Sequence, residues 1–484
     1  MVAKESTVKN KMVAKESTVK NKMVAKESTV KNKKKVVIIG AGIAGLAAGY
    51  YFSQNPEYEV FVVERQDYVG GLARGFDYKG FHFDFGPHKI YTILQGILEE
   101  MDKVTPLLKV KKKNRIYLRN NYFEFPLKMS QIMTKMPVIA ARAMLDIAGK
   151  LISRRPDDSY ENYLTNRFGR TLYNLSFKGY AEKVWNTEAG NLDRELAIRR
   201  VAVSNIFQLI KGAVFGDSSK FSAQFFHYPP HGMKQIAEDL VKNIEKNGGQ
   251  VLLETEISEI NVTDKKINYV KIKKVKLKPD YVISTIYLDY LLGIVKDNGS
   301  EYSRAREATL NLTYRPVSII YIILNKERAM EDCWVFFPEK EFLFQRVSEQ
   351  KAFSKLTCPP GKTGLMVETT KEPTKENIDL IFKQLEEAGI LKSRKEIQEY
   401  IVKTGPRVYP VYLRGFLEPL NAVLNYCDSI KGLYTIGRPG RFNYNNTDHS
   451  WDMALRTYEH IISGENPENW NKLKERFDSY RIVD

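Results

Sequence analysis

The chain is poor in the residues that mark secreted, metal-bound or membrane-spanning proteins. Its 484 residues include 3 cysteines and 6 histidines. Cys333, Cys358 and Cys427 stand far apart, which fits neither a disulfide framework nor a zinc site. A reducing cytosol is the compartment that this usage predicts. His82, His227, His231 and His460 show no ligand spacing, so no metal is expected. No apolar run reaches the roughly 18 residues that span a bilayer, and no signal-peptide pattern is read. No nucleic-acid-binding motif accompanies the basic residues, so nucleic acid is not expected as a partner.

What the chain has in excess is positive charge, a formal net +17. Residues 1–11, 12–22 and 23–33 repeat the undecapeptide MVAKESTVKNK, and at +2 per copy they supply 6 of those charges. A perfect polar repeat ahead of an apolar strand reads as a disordered extension or a start-site duplication, not a solenoid. The remaining charge suits an anionic substrate such as a nucleotide diphosphate, or an anionic membrane surface. A lysine-rich solvated surface is the simplest account. With 43% hydrophobic residues, a chain of this length buries a large core, expected as two domains.

Residues 35–64 carry the most informative pattern. Val36–Ile39 is an apolar run suited to a strand buried on both faces. Gly40, Gly42 and Gly45 then make GxGxxG: a tight turn, a backbone approach to pyrophosphate, and a close helix-to-strand contact. Ile43 and Ala44 open a helix whose N-terminal N–H groups favour phosphate. A second strand, Val60–Val63, ends at Glu64, placed to accept ribose hydroxyls, with Arg65 beside it. Together these parts predict a dinucleotide-binding βαβ unit.

Further along, Gly70-Gly71 and Leu72 lie in a loop, and residues 80–92 alternate like a strand before breaking at Gly86-Pro87. Residues 127–225 read as helical, with a basic amphipathic stretch at 136–155 that suits packing on its own domain better than a membrane surface. A helix is expected at 233–247, and strands at 249–260 and 281–286. Residues 317–324, 333–337, 344–347 and 365–368 suggest a small antiparallel sheet. A strand at 433–436, a glycine and a helix from 451 to 463 can return to the first domain and complete the cofactor site. The predicted fold is α/β: a Rossmann-like domain in interleaved segments (34–105, 226–300 and 405–484) with an inserted helical and antiparallel-sheet substrate domain (106–225 and 301–404).

These motifs resemble the flavin amine oxidase-like superfamily, which includes monoamine oxidases, protoporphyrinogen oxidases, phytoene desaturases and UDP-galactopyranose mutases. The resemblance covers nearly all of residues 34–465 and implies FAD, with Glu64 on the adenosine ribose and Ile257 in the cofactor-binding strand. Several segments look most like the mutases: Gly86-Pro87-His88 with Thr92, KGYAEKVW at 178–185 with Arg199-Arg200 downstream, and LTYR at 312–315. CWVFFPE at 333–339 with Arg346 beyond it, and GRPGRFNYNNTDHS at 437–450, add to these. Tyr228–Met233 looks more like the oxidase-type relatives, and Pro439 and the short Asn445–Thr447 link depart from the mutase pattern.

The resemblance implies a nucleotide-sugar substrate, with reduced flavin carrying the chemistry of a pyranose–furanose isomerisation in glycan precursor synthesis. The alternative is an oxidase or desaturase. The protein's task in the first case is to hold a departing diphosphate, for which arginine is suited. Arg200, Arg315 and Arg438 are the candidates, with Tyr444, Tyr409, Tyr412 and Tyr180; Trp185 is placed to stack on a base or sugar. His88, Arg315, Arg438 and Tyr444 are the candidate catalytic residues. Gly437, Arg438 and Asn446 are expected to reach the cofactor, and Asp448 with it, although Asp448 and His449 also suit the start of the last helix. Each has a plain structural reading: arginines can pair on a helix face, and Trp185 can be core. The aromatic pair and flavin-proximal lysine of amine oxidases are not placed by the sequence. Peripheral membrane contact and self-association stay open.

Overall fold

The computed structural model describes residues 33–149, 155–201 and 224–482. The triplicated segment, apart from Lys33, lies outside the described residues, as do 202–223 of the stretch read as helical. A five-stranded parallel sheet has the order Leu433–Thr435, Tyr281–Ser284, Lys34–Ile39, Tyr58–Val63, Gln250–Leu252. Its central strands are apolar runs because helices or other sheets cover both faces. Val36 pairs with Val60 on one side and Tyr281 on the other. The α/β class and the return of the C-terminal strand agree with the sequence.

Helix Thr447–Ile462 seals that return. It packs on the first helix, Ile43–Gln54, where the buried Trp451 indole N–H donates to the Tyr51 hydroxyl at 2.8 Å. Asp452, fully buried, accepts from Arg456 at 3.2 Å, from Arg476 at 2.7 and 3.0 Å and from Tyr480. A buried carboxylate is tolerable because several donors satisfy it.

The second large sheet has seven strands: Ile397–Pro410, Tyr314–Leu324, Thr363–Thr369, Arg346–Glu349, Trp334–Phe336, Asn114–Leu118 and Asn121–Glu124. The expectation of a small antiparallel sheet is corrected in two ways. The pairing of Trp334–Phe336 with Asn114–Leu118 is parallel. The longest strand, 14 residues, is the polar Ile397–Pro410, which lacks the apolar run of its partner.

One other expectation changes. Residues 249–260 are not one strand: Gln250–Leu252 joins the parallel sheet and Ile257–Thr263 joins a separate four-stranded sheet. Glu254, at φ 46°, turns the chain between them. Residues 80–92 behave as read, a strand that breaks at Gly86-Pro87. Phe81–Asp84 pairs with Gly75–Tyr78 as a hairpin and then stops at Gly86, whose φ is 96°.

Within the amphipathic stretch 136–155, Pro137–Gly149 is a helix that follows helix Met129–Lys135, and 150–154 lie outside the described residues. Met136, Ala140 and Ala143 are buried, while Val138, Met144 and Leu145 are exposed. Among the described residues no helix is long and apolar enough to cross a membrane.

At Gly45 a Cβ would stand 2.0 Å from the Gly40 carbonyl oxygen. Gly45→Ala is therefore expected to destabilise the fold by about 1–3 kcal/mol through overpacking. Thermal unfolding followed by circular dichroism would register a lower Tm.

Candidate functional site

The carboxyl ends of four parallel strands open onto one cavity of about 720 Å³, lined there by Gly40, Glu64, Thr285 and Gly437. This edge is where open α/β sheets bind ligands. Helix Ile43–Gln54 begins at the cavity, with Gly42 as N-cap, no side-chain cap and no acidic residue in its first turn. Its first N–H groups and positive dipole end are thus available to an anion. The Gly70 N–H donates to the Ala41 carbonyl at 2.8 Å, and a Cβ on Gly71 would come within 3.0 Å of Gly42 Cα. Two loops meet here with no room for side chains, leaving a backbone cradle that suits a pyrophosphate.

The Glu64 carboxylate accepts the N–H groups of Ala41 at 2.9 Å and Gln66 at 3.0 Å. These bonds fix its direction into the cavity and leave lone pairs for a ribose. Arg65, Leu72 and Ile257 line the same space. The residues present fit a dinucleotide cofactor.

Farther in, Gly86, Pro87 and His88 line the cavity opposite Gly437 and Arg438. His88 donates from Nε2 to the Leu72 carbonyl at 3.1 Å. Burial, with Arg438 and Arg346 nearby, pushes its pKa down to about 4, so the ring is neutral at pH 7. Just behind, burial pushes the Asp84 carboxyl up to about 7, although the Tyr228 hydroxyl and the Met233 N–H favour its charge.

The inner end is rich in arginine and tyrosine. The Arg200 guanidinium lies over three rings, Tyr444 at 5.1 Å, Tyr180 at 5.6 Å and Trp185 at 5.9 Å. Among the described residues no carboxylate pairs with it. Arg438 donates from Nε to the Asn445 carbonyl at 3.0 Å and sits 5.3 Å from the Tyr444 ring. Arg346 is paired with buried Glu368, Nη2 to Oε1 at 3.0 Å. Tyr409 and Tyr444 lie 5.5 Å apart between these groups, and Trp185 meets both edge-on. Burial holds both phenols well above their ordinary pKa.

Most of the sequence candidates converge on this cavity: Gly40, Gly42, Ile43, Ala44, Glu64, Arg65, Gly70, Gly71, Leu72, Gly86, Pro87, His88, Ile257, Arg200, Tyr409, Gly437, Arg438, Tyr444 and Asn446 all line it. Six candidates stand off it. Gly45 acts one turn back by letting the helix approach Gly40. Tyr180 and Trp185 stand behind Arg200 as its ring platform. Tyr412 is fully committed elsewhere, stacked on Phe416 at 4.2 Å, donating to the Phe442 carbonyl and accepting the Tyr444 N–H. Arg315 pairs in register with Tyr409 but is not a lining residue, and a bulge at Arg315/Val317 interrupts the strand there. Asp448 is buried in the first turn of its helix beside Thr92, and it is His449 Nδ1 that accepts the Asn446 N–H at 3.1 Å.

Sequence reasoning passed over three groups that line the cavity. Arg346 carried a signal, its place beyond CWVFFPE, yet it was not among the candidates. Glu368 carried none, because only strand register brings it opposite Arg346. Arg407 reaches across to Asp289 in a two-point ion pair, 2.8 and 3.0 Å, which likewise depends on tertiary contact.

Residues 43–403 match the family model of flavin containing amine oxidoreductases. A probable UDP-galactopyranose mutase of Klebsiella pneumoniae is 24% identical over 216 residues, 42% of this chain and 52% of that protein. A 1-hydroxycarotenoid 3,4-desaturase of Flavobacterium sp. is 23% identical over 282 residues, 52% of this chain and 56% of that protein. The chain thus spans about half the length of these curated relatives. A crystal structure of reduced UDP-galactopyranose mutase has the same fold, with a TM-score of 0.80 at 20% identity, covering 93% of this chain and 100% of that one.

The His88 shift has a measurable consequence. Between pH 6.5 and 4 an unfolded histidine takes up a proton that the folded one refuses, so this group's stabilisation is full above pH 6.5 and is lost as pH falls toward 4. Asp84 acts oppositely, its raised pKa costing stability as pH climbs from about 4 to 7. His88→Asn should flatten the acid side of the Tm-against-pH curve, and Asp84→Asn should steepen it. Scanning calorimetry of both variants from pH 4 to 7 checks the two signs.

Proposed function

The chain belongs to the flavin containing amine oxidoreductase family, and on that premise we propose that it binds FAD and isomerises a nucleotide sugar between pyranose and furanose forms. One observation carries this reading. Arg200, which lies over aromatic rings and among the described residues meets no carboxylate, and Arg438, held by backbone carbonyls, converge on Tyr444 inside the cavity. Guanidiniums without carboxylate partners are costly to bury unless an anion completes them. A diphosphate supplies that anion.

The Gly40–Gly45 and Gly70-Gly71 cradle would hold the pyrophosphate of FAD, and Glu64 its ribose. When bound and reduced, the flavin supplies the nucleophilic chemistry at the sugar's anomeric carbon. The chain's own groups do the rest. Arg200 and Arg438 hold the diphosphate as it departs and returns, and the Tyr444 and Tyr409 hydroxyls donate to its oxygens. Both phenols stay protonated because burial disfavours the phenolate. Trp185 backs Arg200 and narrows its motion. Neutral His88 keeps the loop at Gly86-Pro87 closed against Leu72 without adding charge.

A second reading has one observation in its favour. The Tyr409–Tyr444 pair is an aromatic couple of the kind that can cage an amine, as in an oxidase. The arginines around it set a positive potential, the wrong sign for a cationic substrate. Oxidation or desaturation is therefore the runner-up.

The deciding experiment is to incubate dithionite-reduced holoprotein with UDP-galactose and assay the furanose isomer by chromatography. Turnover is expected, and Arg200→Ala or Arg438→Ala should lower kcat/KM about 10- to 100-fold, the worth of one charged hydrogen-bonding group. No turnover with several nucleotide sugars, together with oxygen-dependent flavin reoxidation on an apolar substrate, overturns the proposal.

A further inference from the structure

Three of the cavity's arginines, Arg200, Arg438 and Arg346, act on the Tyr444 phenol, and they are neutralised to different degrees. Of these three, Arg200 has ring faces, Arg438 has carbonyl oxygens, and Arg346 has a carboxylate. Arg346 and Glu368 sit directly opposite each other on antiparallel strands, so sheet register itself creates the pair. Glu368 is 3% exposed, yet its carboxylate reaches the cavity, where a Cβ on Gly86 would lie 3.9 Å from Oε1. The phenol of Tyr444 feels Arg200, Arg438 and Arg346 together, while Glu368 acts on Tyr409 beside it. All four charges therefore bear on one small volume.

We propose that Glu368 sets the charge preference of the anion site around Tyr444: by neutralising Arg346 it leaves two uncompensated guanidiniums there, Arg200 and Arg438, matched to a dianion. The inference rests on the nucleotide-sugar reading. A diphosphate esterified at both ends carries about two negative charges at pH 7. The free nucleoside diphosphate carries about three, because its terminal phosphate has a second ionisation near pH 6. In a confined, poorly solvated cavity an extra unmatched charge is expensive, whereas in water it would be screened. Glu368 therefore favours the intact nucleotide sugar over the free diphosphate. That preference limits competition by free nucleoside diphosphate for the substrate site. Glu368 touches Arg346 directly, so it is a specificity residue that acts through the charge it cancels.

Dissociation constants for UDP and UDP-galactose, measured on oxidised holoprotein by intrinsic fluorescence quenching, test this. Wild type should bind UDP no more tightly than UDP-galactose. Glu368→Gln exposes a third guanidinium charge and should tighten UDP about tenfold more than UDP-galactose. The double variant Arg346→Gln/Glu368→Gln removes charge in a balanced way and should return the ratio to within about twofold of wild type.

An unchanged ratio in Glu368→Gln overturns the inference while leaving the isomerase reading intact. If Glu368→Gln fails to fold because Arg346 is left unpaired, the double variant decides alone. A retained ratio and affinity support the inference. A loss of UDP affinity beyond about tenfold overturns it, since Arg346 would then be gripping the diphosphate with an uncancelled charge. If wild type binds neither ligand, the nucleotide-sugar reading fails and this inference falls with it.

Discussion

Helix Ile43–Gln54 can start over the end of strand Lys34–Ile39 only because position 45 has no side chain, with Gly40's carbonyl oxygen 2.0 Å from where a Cβ would be. The same backbone-on-backbone constraint recurs around the cavity. A Cβ on Gly437 would meet Ala44 at 2.9 Å, and one on Gly440 would meet the Ser284 carbonyl oxygen at the same distance. Segments from the beginning, middle and end of the chain thus crowd one strand edge. Side chains are excluded where a cofactor's phosphates need N–H groups, and they enter only beyond it. The cradle and the return of the C-terminal strand are one requirement expressed twice.

Electrostatics then grades the cavity from one end to the other. At the cradle, positive potential comes from the first N–H groups of the helix, which carry partial charge and cannot be neutralised by titration. His88, beside Arg438 and Arg346, is held neutral, so its ring contributes shape and a hydrogen bond without adding to their charge. At the inner end the charge is carried by side chains, and its amount depends on which guanidiniums have carboxylates. Tyr409 and Tyr444 tolerate this crowding because burial opposes their ionisation. They remain donors, which is the form an incoming anion can use.

The parts of this arrangement that were legible in the sequence are those dictated locally. Gly40, Gly42, Gly45 and Glu64 have a fixed spacing because one turn of chain must do one job, and the apolar runs at 36–39 and 60–63 need no distant partner to read as buried strands. Strand Ile397–Pro410 escaped because burial comes from its neighbour: Tyr314–Leu324 supplies the apolar run, while the polar strand pairs along its edge. The break at Glu254 escaped because the chain leaves one sheet for another at a residue with no turn signature. Tyr412 and Arg315 were placed in the site by motif position, but Tyr412 is stacked on Phe416, and Arg315 sits at a strand bulge and does not line the cavity. Glu368 could not have been found at all without the register that sets it opposite Arg346.

That contrast bears on why one fold serves mutases, desaturases and oxidases. The cradle asks only for glycines and strand ends, and a chain that keeps them keeps the cofactor. The inner end asks for side chains that converge from helix Arg194–Arg200, strand Arg346–Glu349, the end of strand Ile397–Pro410 and the turn at Arg438. No two of these are neighbours in sequence, so each can change without disturbing the cradle. Exchanging one carboxylate for a neutral residue alters the net charge there by a full unit while leaving every backbone contact in place. The reaction of such a protein is therefore written in how its buried charges are balanced, a property that neither the fold nor the glycine motif contains.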